Sequence, residues 1–133
     1  MTDVEFLRSA TKKFSSYGPI YDRALATVLA GGVKEHRFGP SGRVIRTVVG
    51  SAGDEFIDPA KPYCSCSDFF FRVLNGHSKL CYHLLSYLMA SEQGMIDVIK
   101  MDDEEYGHFF SLVMRDVFRV LDRSGAEQAL RLP

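Results

Sequence analysis

The sequence has little net charge, few cysteines and no long apolar run, and each shortage excludes something. A formal net charge of −1 argues against a chain held on nucleic acid by overall charge. No apolar run approaches the roughly 18 residues needed to span a bilayer, so no membrane contact is expected. The N-terminal Met1-Thr-Asp-Val-Glu5 lacks the basic-then-apolar order of a signal peptide. The three cysteines are odd in number and clustered, which suits metal binding in a reducing compartment better than disulfides. An intracellular protein is expected, cytoplasmic or nuclear according to its source. There is no nucleophile elbow, phosphate-binding glycine loop or metal-hydrolase signature, so no enzymatic activity is expected. Internal repeats and low-complexity segments are also missing.

What is present is an ordinary globular composition, 46% hydrophobic and 25% charged over 133 residues. That length suits one domain burying roughly two-thirds of its unfolded surface. Residues 1–32 read as N-terminal helices, 33–91 as a sheet with a metal knuckle, and 102–123 as a C-terminal helix. The first helix is expected over 3–15, with Val4, Leu7, Thr11 and Phe14 near one face. Thr2 or Asp3 would cap it, and Lys12-Lys13 would complement its C-terminal end. Pro19 opens a second helix that runs to about Ala30, burying Ile20, Ala24, Leu25, Val28 and Leu29 before Gly31-Gly32.

Val33–Phe38 and Arg43–Val49 flank the turn residues Gly39-Pro-Ser-Gly42 and predict a hairpin. Glu55–Asp58 is expected as a third short strand, after which Pro59 and Pro62 end regular pairing. Ser67 would cap a short apolar segment from Asp68 to Leu74, whose Phe69-Phe-Phe71 run reads as core, with Asn75-Gly76 as its stop. A helix is expected from about Cys81, carrying Leu84, Leu85, Tyr87, Leu88 and Met89. The last helix opens on Asp102-Asp-Glu-Glu105, at the positive end of its dipole. It continues through Tyr106, Phe109, Phe110, Val113, Met114, Val117, Phe118 and Leu121 in helical period. The fold class is therefore α+β: a small antiparallel sheet with a Cys-x-Cys…Cys-x-His zinc knuckle, flanked by N-terminal and C-terminal helices.

The chemistry concentrates in Cys64-Ser-Cys66 and Cys81-Tyr-His83, separated by fourteen residues. Three thiolates and one imidazole are the ligand set of a closed tetrahedral zinc site. Residues two apart on an extended strand share a face, so Cys64 and Cys66 can address one ion. Residues two apart in a helix do not, so Cys81 is expected at or before a helix cap with His83 in the first turn. The helix dipole then favours thiolate. Four protein ligands leave no open position, which favours a structural Zn²⁺, one per chain, over a catalytic one. Three buried thiols with a core histidine, or His77 in place of His83, are the competing readings. His36 and His108 are expected as surface or packed residues.

This motif, spelled Tyr63-Cys-Ser-Cys-Ser-Asp-Phe-Phe-Phe-Arg-Val-Leu74 and Leu80-Cys-Tyr-His-Leu-Leu85, resembles the SWIM zinc-finger family. Within it, the sequence is most similar to the small stand-alone SWIM proteins of the Shu recombination complex, a eukaryotic type with archaeal relatives. The likeness extends through Pro40-Ser-Gly-Arg-Val44, Val48-Val-Gly50 and the helix after Asp102, over roughly residues 20–115. It implies zinc ligation by Cys64, Cys66, Cys81 and His83. It also implies an adaptor that pairs with a RecA-family recombinase paralogue in homologous recombination and DNA repair.

Direct DNA binding is the alternative. Lys34, Arg37, Arg43 and Arg46 on the hairpin, with Arg115 and Arg119 on the last helix, are the candidate phosphate contacts. Protein binding is the stronger expectation, because a domain this small need not cover all of an aromatic-rich last helix. An uncovered face there would serve a partner or a second copy of the chain.

Overall fold

The structure, a computed structural model, describes residues 2–50, 53–66, 69, 73, 76 and 80–123; beyond position 115, side chains are described only at 118. Helix α1 (Asp3–Ala10) starts from a capping box, in which the Thr2 hydroxyl accepts from the Glu5 N–H while the Glu5 carboxylate accepts from the Thr2 N–H. The helix stops short of the expected residue 15. The buried Thr11 hydroxyl donates to the Leu7 carbonyl at 2.7 Å and meets the Tyr21 hydroxyl at 2.9 Å. Such side-chain bonding competes with helix continuation, and Lys12–Tyr17 tightens into a 3₁₀ helix. Lys12 and Lys13 therefore lie beyond the α1 terminus they were expected to complement. Pro19 opens α2 (Pro19–Leu29) as expected, and Gly31, at φ +71°, turns the chain out of it.

Strands β1 (Val33–Gly39), β2 (Val44–Gly50) and β3 (Gly53–Asp58) form an antiparallel meander. The short β4 (Tyr63–Cys64) returns along β3, pairing Cys64 with Ile57, despite the two prolines before it. Helix α3 (Tyr82–Gln93) follows, and then comes an element the sequence did not announce. Strand β5 (Asp97–Asp102) lies parallel to β1, with Lys34 opposite Asp97 and Phe38 opposite Met101. The sheet is thus mixed rather than antiparallel, with order β4-β3-β2-β1-β5. Only six residues long and without clean alternation, β5 carries too weak a pattern to separate it from a linker.

The strand period of two gives the sheet two working faces. Val33, Val48 and Ile57 face a core shared with Ala24, Leu25 and Val28 of α2 and Leu84, Leu85 and Met89 of α3. Phe38 and His36 point the other way, under α4 (Tyr106–Arg123), where Phe38 meets Tyr106 edge-on at 5.0 Å and His36 meets Phe109 at 4.3 Å. A 3₁₀ turn (Asp103–Glu105) leads into α4, capped by Asp102 and Glu105. The Ser41 N–H and hydroxyl both donate to Asp103, which ties the β1–β2 turn to this helix start.

Several expected core residues lie outside the core. Val4, Leu88, Phe110 and Phe118 are exposed. Phe69 is buried, whereas Ser67, Asp68, Phe70, Phe71, Leu74, Asn75 and the side chains of Val117 and Leu121 fall outside the described residues. No helix among the described residues is long and apolar enough to cross a membrane.

Two outcomes follow from the α4 side of the sheet. Phe38→Ala removes a fully buried ring and is expected to lower stability by about 3–5 kcal/mol in urea unfolding. His36 is held below its ordinary pKa of 6.5 by burial and, next, by Lys34, so unfolding takes up a proton. Its contribution is present above that value and is lost as the pH falls through the lower folded one. Tm should fall on acidification from about pH 7.5 to about 5.5, less steeply in His36→Gln. Parallel slopes in the two proteins would assign the acid sensitivity elsewhere.

Candidate metal centre

The sheet edge and the start of α3 bring Cys64, Cys66, Cys81 and His83 together, with one potential ligand atom from each, all within 4.8 Å of one another. All four are buried, from 0% exposure at Cys64 and Cys81 to 4% at Cys66 and His83. A tetrahedron with metal–sulfur bonds of about 2.3 Å has edges of ~3.8 Å, so the donors need only small inward shifts. This cluster can hold a metal ion. His77 lies outside the described residues, while His36 and His108 sit on the α4 side.

Local backbone explains the convergence. Cys64 ends β4, and Cys66 follows in a bend where its sulfur accepts from the Phe69 N–H at 3.4 Å. Cys81 takes the N-cap position of α3, with extended φ −87° and ψ 169°. His83 then falls in the first helical turn, the placement that the Cys-x-His spacing requires.

Three features fit a cation at this cluster. Neither ring nitrogen of His83 has a hydrogen-bond partner among the described residues although both are buried, a costly state for a polar group. The sulfurs cannot all ionise unaided. Burial pushes the Cys64 thiol far up, and the Cys66 and Cys81 thiols beside it push the same way. At Cys66 the Cys64 hydrogen bond pulls down, but Cys81 and burial outweigh it and leave the group at about 12. Cys81 is held low by hydrogen bonds from Cys64 and then Cys66. A cation would take the place of the shared protons and allow all three to bind as thiolates.

Three supporting residues carried no recognisable signal in the sequence. Ser65, between the first two ligands, donates from its hydroxyl to the buried Glu55 carboxylate at 2.8 Å and accepts from the Phe56 N–H at 2.9 Å. With the Ser65 N–H bonded to the Phe56 carbonyl, these contacts lock the Cys-x-Cys turn against β3. Gly50 reads as an ordinary turn glycine, yet a Cβ there would lie 2.6 Å from His83 Nε2 and 3.2 Å from the Tyr82 hydroxyl. The His83 ring needs that space. The Tyr82 ring lies 3.9 Å from it, centroid to centroid, and carries the Arg23 guanidinium 4.0 Å away.

The candidate phosphate contacts do not assemble in the same way. Glu35, only 6% exposed, binds Arg37 at 2.7 Å and Arg46 at 3.3 Å on the α3 side of the hairpin. On the other side, Arg43 bonds the Ser41 hydroxyl, lies 3.7 Å from Asp103 and packs 3.7 Å over the Tyr106 ring. The Ser41 hydroxyl, ahead of its N–H and Arg43, holds Asp103 below the usual carboxylate range. Lys34 lines a shallow cleft of about 300 Å³ at the end of α2, with Ala30, Gly32 and Val49. Arg115 is exposed on α4, and the side chain of Arg119 lies outside the described residues. The hairpin arginines are thus committed to carboxylates and an aromatic ring of their own chain.

Comparison with protein-family models, with curated proteins and with solved structures finds no match.

Gly50→Ala gives a direct check on the site geometry. It should leave the far-UV circular dichroism of the loaded protein intact but weaken metal binding by about 10–100-fold, the range for residues that support a ligand. Competition against a chromogenic chelator measures it, and an unchanged affinity would mean that the ring has other room.

Proposed function

We propose that the chain is a non-catalytic adaptor organised by a structural zinc ion, acting in homologous recombination and DNA repair beside a RecA-family recombinase paralogue. The observation that carries the zinc assignment is the buried convergence of three sulfurs and one imidazole. Sulfur-rich tetrahedral sets favour zinc over hard cations, which take oxygen ligands. Cys64, Cys66, Cys81 and His83 would hold the ion, and four protein donors leave no position for substrate or water. Zinc here supplies cross-linking: it ties β4 at the sheet edge to the N-terminus of α3. The recombination role rests on the motif's resemblance to the stand-alone SWIM proteins. Adaptor chemistry fits a chain whose most elaborate site is closed and whose α4 exposes Phe110, Leu112 and Phe118.

Metal analysis tests the first part. Native mass spectrometry is expected to show one zinc per chain, lost in Cys64→Ser and in His83→Ala. A metal-free protein from zinc-supplemented expression overturns the assignment. For the second part, the purified chain should capture the recombinase paralogue encoded in the same genome, and a soluble Cys81→Ser protein should do so poorly. Normal capture by that variant would separate the metal from partner binding. Salt-dependent DNA binding by the chain alone, weakened in Arg43→Ala and Arg46→Ala, would move the assignment to a DNA-binding module.

A further inference from the structure

Helix α4 carries more apolar surface than the sheet uses. At 3.6 residues per turn, Tyr106, Phe109 and Val113 share one arc, and Tyr106 and Phe109 meet Phe38 there. Phe110, Met114 and Phe118 recur every fourth residue on a neighbouring arc. On that second arc Phe110 is 41% exposed and Phe118 63%. The Tyr106 and Phe110 rings stack at 5.9 Å with planes 17° apart, which braces the stripe at its N-terminal end.

Gly107 lies beside this stripe, and among the described residues nothing requires a glycine there. It stands in α4 without positive φ, and a Cβ built on it would meet nothing within 4 Å. Glycine is the poorest helix former after proline, so a helix that keeps one with open space above it suits close approach from outside. Charge supplies a second pointer. Glu104, in the 3₁₀ turn that leads into α4, and Arg115, on α4, are both exposed and bracket the stripe near its opposite ends.

We propose that two copies of this chain associate through this face, their α4 helices antiparallel about a twofold axis passing near Phe110 and Ser111. In that arrangement like edges of the two helices adjoin. Glu104 of one copy then comes within side-chain reach of Arg115 of the other, and the pairing occurs twice. Met114 of each copy packs over Gly107 of the other, where the missing side chain leaves room, and the Phe110 rings flank the axis. Antiparallel dipoles add to the fit. The surface is self-complementary in shape and charge, as an isologous dimer requires.

Sedimentation equilibrium of the full-length, zinc-supplemented chain across micromolar concentrations tests this, and its outcome does not depend on the recombination reading. The chain should populate a dimer. Gly107→Gln should raise the dimer Kd at least tenfold while the dilute monomer melts at the same or a higher temperature, since the side chain enters open space and replaces a poor helix former. Glu104→Arg should weaken association, and adding Arg115→Glu should restore it. A monomer throughout the range overturns the proposal, whether another protein or residues 124–133 cover the face. A dimer indifferent to both Gly107→Gln and the charge swap places the interface elsewhere and overturns it equally.

Discussion

Three sulfurs and an imidazole crowd into one buried cluster, where burial disfavours the thiolate at Cys64 and Cys66. The cluster could hold a cation, and the surrounding structure is what brings its four donors together. The chain comes back to the sheet edge at β4 to deliver Cys64. Cys81 gives up helical geometry for the N-cap, and β2 ends on the glycine that leaves room for the His83 ring. The buried Glu55–Ser65 pair then fixes the turn between the first two ligands. In physical terms, local strand pairing and a helix start bring together sulfurs whose charged form burial penalises unless a cation is coordinated.

Away from the metal, the sheet separates two kinds of core. Its α2–α3 face is mainly aliphatic, built on Val33, Val48, Ile57, Leu85 and Met89. Its α4 face is aromatic and partly polar, with His36 bonded to Thr47 beneath Phe109. The hairpin between these layers spends its arginines on Glu35 and Asp103. Those pairs fix register and turn geometry and hold these three arginines to carboxylates of their own chain.

Much of this was legible in the residues because the signals were local and strong. Pro19 and Gly31 mark the ends of α2, the Gly39–Gly42 turn announces the hairpin, and the two cysteine-containing pairs point to one ligand cluster. The Cys81–His83 spacing offered a position at or just before a helix cap as one solution, and Cys81 takes the N-cap. What was illegible depended on partners distant in sequence. Strand β5 is defined by its pairing with β1, since Asp97-Val-Ile-Lys-Met-Asp102 has no distinctive period of its own. Thr11 shortens α1 through a buried contact with Tyr21 that no helix propensity encodes. Gly50 looks like turn punctuation until the His83 ring is placed against it. Glu35 reads as one acid among basic residues, yet its carboxylate sets the orientation of two of them.

The parallel pairing of β5 with β1 also bears on the order in which this protein assembles. The meander, β4 and all four residues of the Cys/His cluster precede β5 in the sequence, so a growing chain can assemble that cluster before the fifth strand emerges. The β1–β5 pairing spans most of the intervening chain, and contacts of such high contact order form slowly. Until β5 docks, β1 presents an open edge, and the sheet face beneath α4, with Phe38 and His36, lies uncovered. A nascent chain at that stage would carry a complete Cys/His cluster beside an unpaired strand edge and an uncovered sheet face, the kind of surface on which chaperones act.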